Sequence, residues 1–505
     1  MLARRTSLLA ALALSASAFL ACSSGSSPTG STGTGGAGGT MIPSGPPCDD
    51  PRFAEGRASV QCQQLVDTEG RVIFLHGVNA RVNGVFDVTF DDGRVALEPI
   101  PDFTAQDAAD MRAMGFNALR LPINWSGLEP TKDGGFDEAY LDKVEAAVQL
   151  AAGAGLWVLI DFHQDAYSKE IGEDGAPLWA IEPPPTKLLE GPLTDLEARR
   201  ASAQVLKAFS TFFGPSPEGA ALRTRFAAAA AHVAKRFATH RSVIGIEIFN
   251  EPLADEDSQL DTFHDEVIAA IHQADPGCLA FFEPNVTRNL FDHAPLAQRE
   301  PWPGTVYAPH VYTLAFTGSD EQRKAMTREK LEPSNKGAAS EAKSWRAPLV
   351  ITEFGYGPDA IQADNYLRWQ TELQDQYLAS AFFWVWKEQS QGSWGIHAYE
   401  EATGGWTVRD HVRKALSRVT PEAIAGFPTS FGHDRDKKRF ELNFTGDPKV
   451  TAPTLLFVPG PDDFSASFDI LCDGNPVEAK RDAASGLVEV PCNGPGAHTI
   501  VLTAP

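Results

Sequence analysis

Residues 244–251 read Ile-Gly-Ile-Glu-Ile-Phe-Asn-Glu, an apolar, β-rich run that ends in two polar residues. The fold follows from how often this form returns. Before it stand Val72-Ile73-Phe74-Leu75-His76-Gly77, Ala118-Leu119-Arg120-Leu121-Pro122 and Trp157-Val158-Leu159-Ile160-Asp161-Phe162-His163. After it come Leu279-Ala280-Phe281-Phe282-Glu283, Val306-Tyr307-Ala308-Pro309-His310, Leu349-Val350-Ile351-Thr352-Glu353 and Ala381-Phe382-Phe383-Trp384-Val385-Trp386. Near-continuous apolar strands that alternate with helices predict a parallel sheet buried on both faces. Eight such units predict a closed (β/α)8 TIM barrel.

The stretches between the runs agree with this. Ala105–Met114 is helical by composition and stops at Gly115, Asp137–Ala152 has helix periodicity and stops at Gly153, and Arg225–Thr239 is alanine-rich with Lys235 and Arg236 near its end. Nearly eighty residues separate the third and fourth runs, too many for a simple loop. An insertion is expected around 166–222, and its Trp179, Phe209, Phe212 and Phe213 suggest a lid or an apolar groove over the barrel mouth. After about Pro421 the helical theme ends. Phe440–Phe444, Thr454–Val458, Ser465–Leu471, Leu487–Val490 and His498–Leu502 read as short strands between turn residues, which predicts a small C-terminal β-sandwich. The expected division is a barrel over 48–420 and a β-sandwich over 421–505.

The N-terminus carries a different message. Arg4 and Arg5 precede an apolar run from Leu8 to Leu20, followed by Ala21-Cys22. This predicts a signal peptide over 1–21. Phe19-Leu20-Ala21-Cys22 resembles the lipoprotein cleavage box, so Cys22 is the expected lipidated residue of an exported envelope protein. Residues 22–47, rich in Ser, Gly and Thr, form the expected flexible tether. In an exported chain Cys48–Cys62 and Cys472–Cys492 make plausible local disulfides, leaving Cys278 free and buried. No Cys/His group has zinc spacing, so no metal is expected. A formal charge of -23 would repel a polyanion and argues against nucleic acid as a partner.

Chemistry-bearing side chains fall in one register. Arg120, His163, Asn250, Glu251, His310, Tyr312, Glu353 and Trp386 all stand at or just beyond strand ends, the face on which barrels build their sites. Two are carboxylates on opposed strands: Glu251 in Asn250-Glu251-Pro252 after the fourth run, and Glu353 at the end of the seventh. Glycoside cleavage needs one carboxyl to protonate the leaving oxygen and another to attack the anomeric carbon. Separation by roughly 5–5.5 Å would give retention of configuration, and a wider gap inversion.

From Val72 to Val419 the chain resembles glycoside hydrolase family five, and within it the endoglycoceramidase-related branch. The branch resemblance rests on His76-Gly77-Val78-Asn79, Asp161-Phe162-His163-Gln164-Asp165 and Gly175-Ala176-Pro177-Leu178-Trp179. It implies Glu251 as acid/base, Glu353 as nucleophile, and His163, Asp165 and Trp179 as sugar contacts. Physical roles can be assigned to the others. Asn250 would bond the sugar 2-hydroxyl, Arg120 and Tyr312 would hold Glu353 ionised, His310 would orient the carboxylates, and Trp386 would lie under the sugar ring. Glu251 would need a raised pKa to start protonated. Near Asn83, where glycolipid-cleaving relatives would carry a lysine, the chain reads Ala80-Arg81-Val82-Asn83-Gly84. The expectation is a monomeric, cofactor-free retaining glycosidase that splits oligosaccharide from ceramide. The alternatives are a steryl or aryl glucosidase or endo-β-glucanase of the same family, or a non-catalytic surface carbohydrate-binding lipoprotein.

Overall fold

A computed structural model describes residues 50–389, 394–479, 481–482 and 484–504. The signal segment 1–21, Cys22, the tether 22–47 and Cys48 lie outside these. The apolar runs form the barrel. β1 (His76–Asn79), β2 (Ala118–Ile123), β3 (Trp157–Phe162), β4 (Val243–Glu247) and β5 (Ala280–Phe282) pair side by side in chain order. β6 comes in two parts, Thr305–Tyr307 and His310–Val311, followed by β7 (Val350–Phe354) and β8 (Ser380–Phe383). The first part of β6 pairs with β5, the second pairs with β7, and β8 returns to β1. The sheet therefore closes on itself, with a bridge from Tyr307 to Leu349 across the interruption. Pro309 lies in that gap, and its missing N–H is one reason the strand breaks there.

Local chemistry sets the helix starts. Helix Ala105–Ala113 opens on Thr104, whose side chain accepts the Asp107 N–H while Asp107 answers at the Thr104 N–H. Just past its end Gly115 has φ +95°, and a Cβ there would come within 2.4 Å of the Phe457 ring, so glycine serves both the turn and the close approach. The alanine-rich helix runs over Pro217–Phe237, longer than its periodicity suggests, because Ser216 caps it and Pro217 needs no N–H partner in the first turn.

The insertion between β3 and β4 contains helices Leu196–Arg200 and Ala203–Phe213. Phe209, Phe212 and Phe213 on the second helix are buried, and Phe212 meets Phe226, Phe249 and Phe263 at centroid distances of 5.5–6.0 Å. These rings are core that roots the insertion on the barrel. The expectation that they line a groove is corrected.

The strand-rich C-terminal region is a two-sheet unit that begins at the other end of the chain. Its six-stranded sheet contains Ser59–Gln61, Gln64–Val66 and Val72–Ile73 beside Thr420–Ile424, Thr454–Phe457 and Leu487–Val490. The run expected as one barrel strand over 72–77 is thus divided: Ile73 pairs with Ala423, while His76 pairs with Ala381 in the barrel. A division drawn at residue 421 falls inside a strand. Apolar periodicity reveals a strand but not which sheet it joins. Arg112 of the barrel grips Glu422 of the sandwich through two bonds of 2.6 and 2.9 Å, a bidentate pair that fixes the two parts together. Cys472 and Cys492 form a disulfide, and Cys278 is free and buried. Cys62 is also disulfide-bonded, and its expected partner, Cys48, lies outside the described residues.

Candidate active site

Strand ends place one fixed cation at the centre of the mouth. Arg120 on β2 is fully buried. Its guanidinium donates to Glu353 Oε1 at 2.5 Å, Glu247 Oε2 at 2.6 Å, Asn250 Oδ1 at 2.8 Å and Asn79 Oδ1 at 3.0 Å. Asp161 lies 3.1 Å away. Burial works against this charge, but Asp161, Glu247, Glu353 and Glu283 more than offset it, so the pKa of Arg120 rises. Removing any partner would leave a buried charge short of compensation.

Glu353, at the end of β7, takes its second bond from the Tyr312 hydroxyl at 2.8 Å. Burial, and then Glu353 itself, push the Tyr312 pKa up, which keeps this hydroxyl a donor. Glu251 stands four residues past the end of β4 with φ +43°, a left-handed conformation that costs about 1–2 kcal/mol for a side-chain-bearing residue. Three bonds hold it there. Gln164 Nε2 donates to the carbonyls of Asn250 and Glu251 at 2.7 and 3.2 Å, and the Glu251 N–H donates to Glu283 Oε1 at 3.1 Å. The Glu251 carboxylate accepts from Asn289 Nδ2 at 2.7 Å and from His310 Nδ1 at 3.0 Å.

One oxygen from each of Glu251 and Glu353 and one ring nitrogen of His310 lie within 4.8 Å of one another. A nearest approach this short fits the roughly 5–5.5 Å carboxyl separation of double displacement and not the 6.5–9.5 Å of direct attack by water. The charge state differs from the sequence expectation. Burial pushes the Glu251 carboxyl up, but His310, Arg200 and His163 outweigh it and hold the pKa at about 2. The proton expected on Glu251 rests on His310, whose ring is kept charged, against its burial, by Glu283, Glu353 and Glu251.

His163 lies beyond Arg120, with Nδ1 2.6 Å from Asp161 Oδ2. Burial, reinforced by Arg120, lowers its pKa to about 4. A neutral ring that donates from Nδ1 leaves Nε2 as an acceptor. Its flat neighbour is Trp384, stacked at 5.4 Å and 12°. Trp386, expected under the sugar, is instead 1% exposed, and its indole N–H donates to Asp107 at 2.9 Å. The reason is that β8 stops at Phe383. Trp384 is therefore the partly exposed ring at the strand end, and Trp386 packs inward against His397.

The remaining expected residues lie further out. Asp165 forms an ion pair with Arg200, and its N–H is bonded to Asp174 at 2.8 Å. Trp179 donates to the Glu129 carbonyl at 2.9 Å and packs edge-on against Trp125, with no described contact to the carboxylate pair. Where a lysine was expected, Arg81 is paired with Glu98 and with Glu388, and its guanidinium lies 5.9 Å from the Trp384 ring. Sequence reading missed Gln164, Glu283, Asn289 and Trp384. Glu283 and Trp384 did stand at strand ends, and that position was the available signal. Asn289 belongs to a short helix with no such mark.

Residues 91–390 match the Cellulase (glycosyl hydrolase family 5) profile, and residues 418–502 match the Glycoside hydrolase family 5 C-terminal domain. Endoglycoceramidase I of Rhodococcus hoagii (strain 103S) is 28% identical over 471 residues, covering 87% of each chain. The endoglycoceramidase of Cyanea nozakii is 25% identical over 468 residues, covering 83% of this chain and 87% of its own. Among solved structures, the lactosyl-enzyme intermediate of endo-glycoceramidase II from Rhodococcus sp. has a TM-score of 0.69 at 25% identity, covering 88% of this chain and 100% of that one. The first profile spans β2 to β8 and both opposed carboxylates, and the second follows it in order, so the chain belongs to glycoside hydrolase family 5.

Proposed function

We propose that this chain hydrolyses the β-glycosidic bond between an oligosaccharide and ceramide in glycosphingolipids, with Glu353 as nucleophile and Glu251 as acid/base. The observation that carries the chemistry is the opposed carboxylate pair, within 4.8 Å and bridged by His310. Similarity to endoglycoceramidases over 83–87% of this chain supports the substrate class. So does an exposed ring beside the nucleophile: Phe316, 47% exposed, packs on Trp394 and on Tyr312, whose hydroxyl bonds Glu353. An aromatic face there suits a lipid aglycone.

In the first step Glu353 attacks the anomeric carbon while Glu251 delivers a proton to the departing ceramide oxygen. In the second, Glu251 removes a proton from water, and the water oxygen displaces Glu353 from the sugar with net retention. Arg120 and Tyr312 hold Glu353 in line before attack, so no reorganisation is needed at the moment of reaction. Asn250, with its oxygen fixed by Arg120 and one amide hydrogen on the Gln164 carbonyl at 3.1 Å, has its second amide hydrogen left for the sugar 2-hydroxyl. Trp384 supplies the ring face under the sugar.

Trp384→Ala is expected to lower kcat/KM by roughly 10- to 100-fold through loss of about 1.5–3 kcal/mol of ring contact. Trp386→Ala should instead cost about 3–5 kcal/mol of stability. Steady-state kinetics and thermal melting on both variants distinguish the two. The substrate reading is tested by product analysis on a glycosphingolipid, a galactosylceramide, a steryl glucoside and a soluble glucan. Intact oligosaccharide plus ceramide from the first supports it, and cleavage of the soluble glucan alone rejects it.

A further inference from the structure

Glu283 follows β5 directly and is 2% exposed, yet the two-step reaction as written gives it no part. Its Oε1 lies 3.3 Å from His310 Nε2 and accepts the Glu251 N–H at 3.1 Å. The other nitrogen of the same imidazole, Nδ1, is 3.0 Å from Glu251 Oε1. One buried ring thus has a carboxylate on each side, and one of the two is the acid/base. We propose that Glu283 is a positioning residue that keeps His310 loaded with the proton Glu251 passes to the leaving oxygen. This rests on the reading of Glu251 as acid/base.

The surroundings require such a store. Around Glu283 and His310 stand Arg120 from β2, Asp161 from β3, Glu247 from β4, and Glu353 from β7 with Tyr312 beside it. Arg200 and His163 act on Glu251 from the insertion and the end of β3. Asp161, Glu247, Glu283 and Glu353 crowd the central cation Arg120, and buried like charges this close do not all ionise. Burial pushes the Glu283 carboxyl well up and the facing His310 is the first group to oppose that rise, so Glu283 and His310 hold one proton between them.

The step balances. His310 gives its Nδ1 proton to Glu251 Oε1 and keeps its Nε2 hydrogen, which faces Glu283 at 3.3 Å. Glu251 passes the proton to the glycosidic oxygen as the bond to the anomeric carbon breaks and the Glu353 ester forms. In the second half, water loses a proton to Glu251 as its oxygen bonds the anomeric carbon and the ester breaks. Glu251 returns that proton to His310, and every group regains its starting state.

Glu283→Gln keeps an acceptor oxygen for the Glu251 N–H but removes the carboxylate that faces His310 Nε2. The alkaline limb of the kcat/KM profile on glycosphingolipid should move down by about 1 pH unit or more, and Glu283→Asp should bring it back toward wild type. The 2,4-dinitrophenyl glycoside of the same sugar, whose leaving group departs unprotonated, should keep its wild-type limb in Glu283→Gln. A limb position does not depend on how much of the protein is active, so partial instability leaves it readable. An unmoved limb with glycosphingolipid, or an equal movement with both substrates, would overturn the proposal. Independently of any Glu283 variant, 15N-histidine NMR of the wild-type enzyme, assigned with His310→Gln, should show His310 protonated on both nitrogens at pH 7. A neutral ring there overturns the proposal as well. Unchanged turnover in Glu251→Gln would defeat the acid/base reading itself, a different failure.

Discussion

Glu353→Gln is expected to lose turnover of glycosphingolipid by at least about ten-thousand-fold, the scale on which removal of a nucleophile disables its catalytic unit. The amide keeps the volume of the side chain but cannot form the ester with the anomeric carbon, and no second carboxylate occupies the same place. Glu251 is fixed from the other side by His310 and Asn289. Loss of one carboxylate from Arg120 should cost some stability, but Glu247 at 2.6 Å and Asp161 at 3.1 Å still compensate the guanidinium, so the variant should fold. Thermal melting beside the kinetic assay checks this. Residual turnover above roughly one percent in a well-folded variant would contradict the assignment.

Glu251→Ala should fail differently. General acid–base groups contribute about 100- to 10,000-fold, and the loss should fall on whichever step needs a proton moved. With ceramide as leaving group both halves of the reaction slow. With 2,4-dinitrophenolate the first half proceeds unaided, so a burst of phenolate should precede a slow steady state. Azide, which needs no base to attack, should then restore turnover and release a glycosyl azide of retained configuration. An azide product of inverted configuration, or no rescue, would remove Glu251 from this role.

The sequence carried the barrel because its strands are buried on both faces and so write themselves as unbroken apolar runs. It carried Arg120, Asn250, His310, Tyr312 and the two glutamates as a group because strand ends at one face must converge. What it hid has physical causes. Val72–Ile73 and His76–Asn79 lie in one apolar run, and nothing local tells which sheet each half joins. Trp384 and Trp386 are both aromatic residues near one strand end, and only the stop of β8 at Phe383 decides which ring reaches the mouth. Phe209, Phe212 and Phe213 look the same in sequence whether they line a groove or fill a core. The charge state of Glu251 depends on His310, two strands further along the chain, and spacing alone cannot supply that.

Covalent labelling tests the central claim most directly. A 2-deoxy-2-fluoro glycoside with a dinitrophenyl leaving group should slow release of the sugar more than its capture and so trap the glycosyl-enzyme. Intact-protein mass spectrometry should then show the addition of one glycosyl unit, and peptide mapping should place it on Glu353. A label on Glu251 or on another residue, or turnover of the reagent with no covalent species formed, would contradict the account.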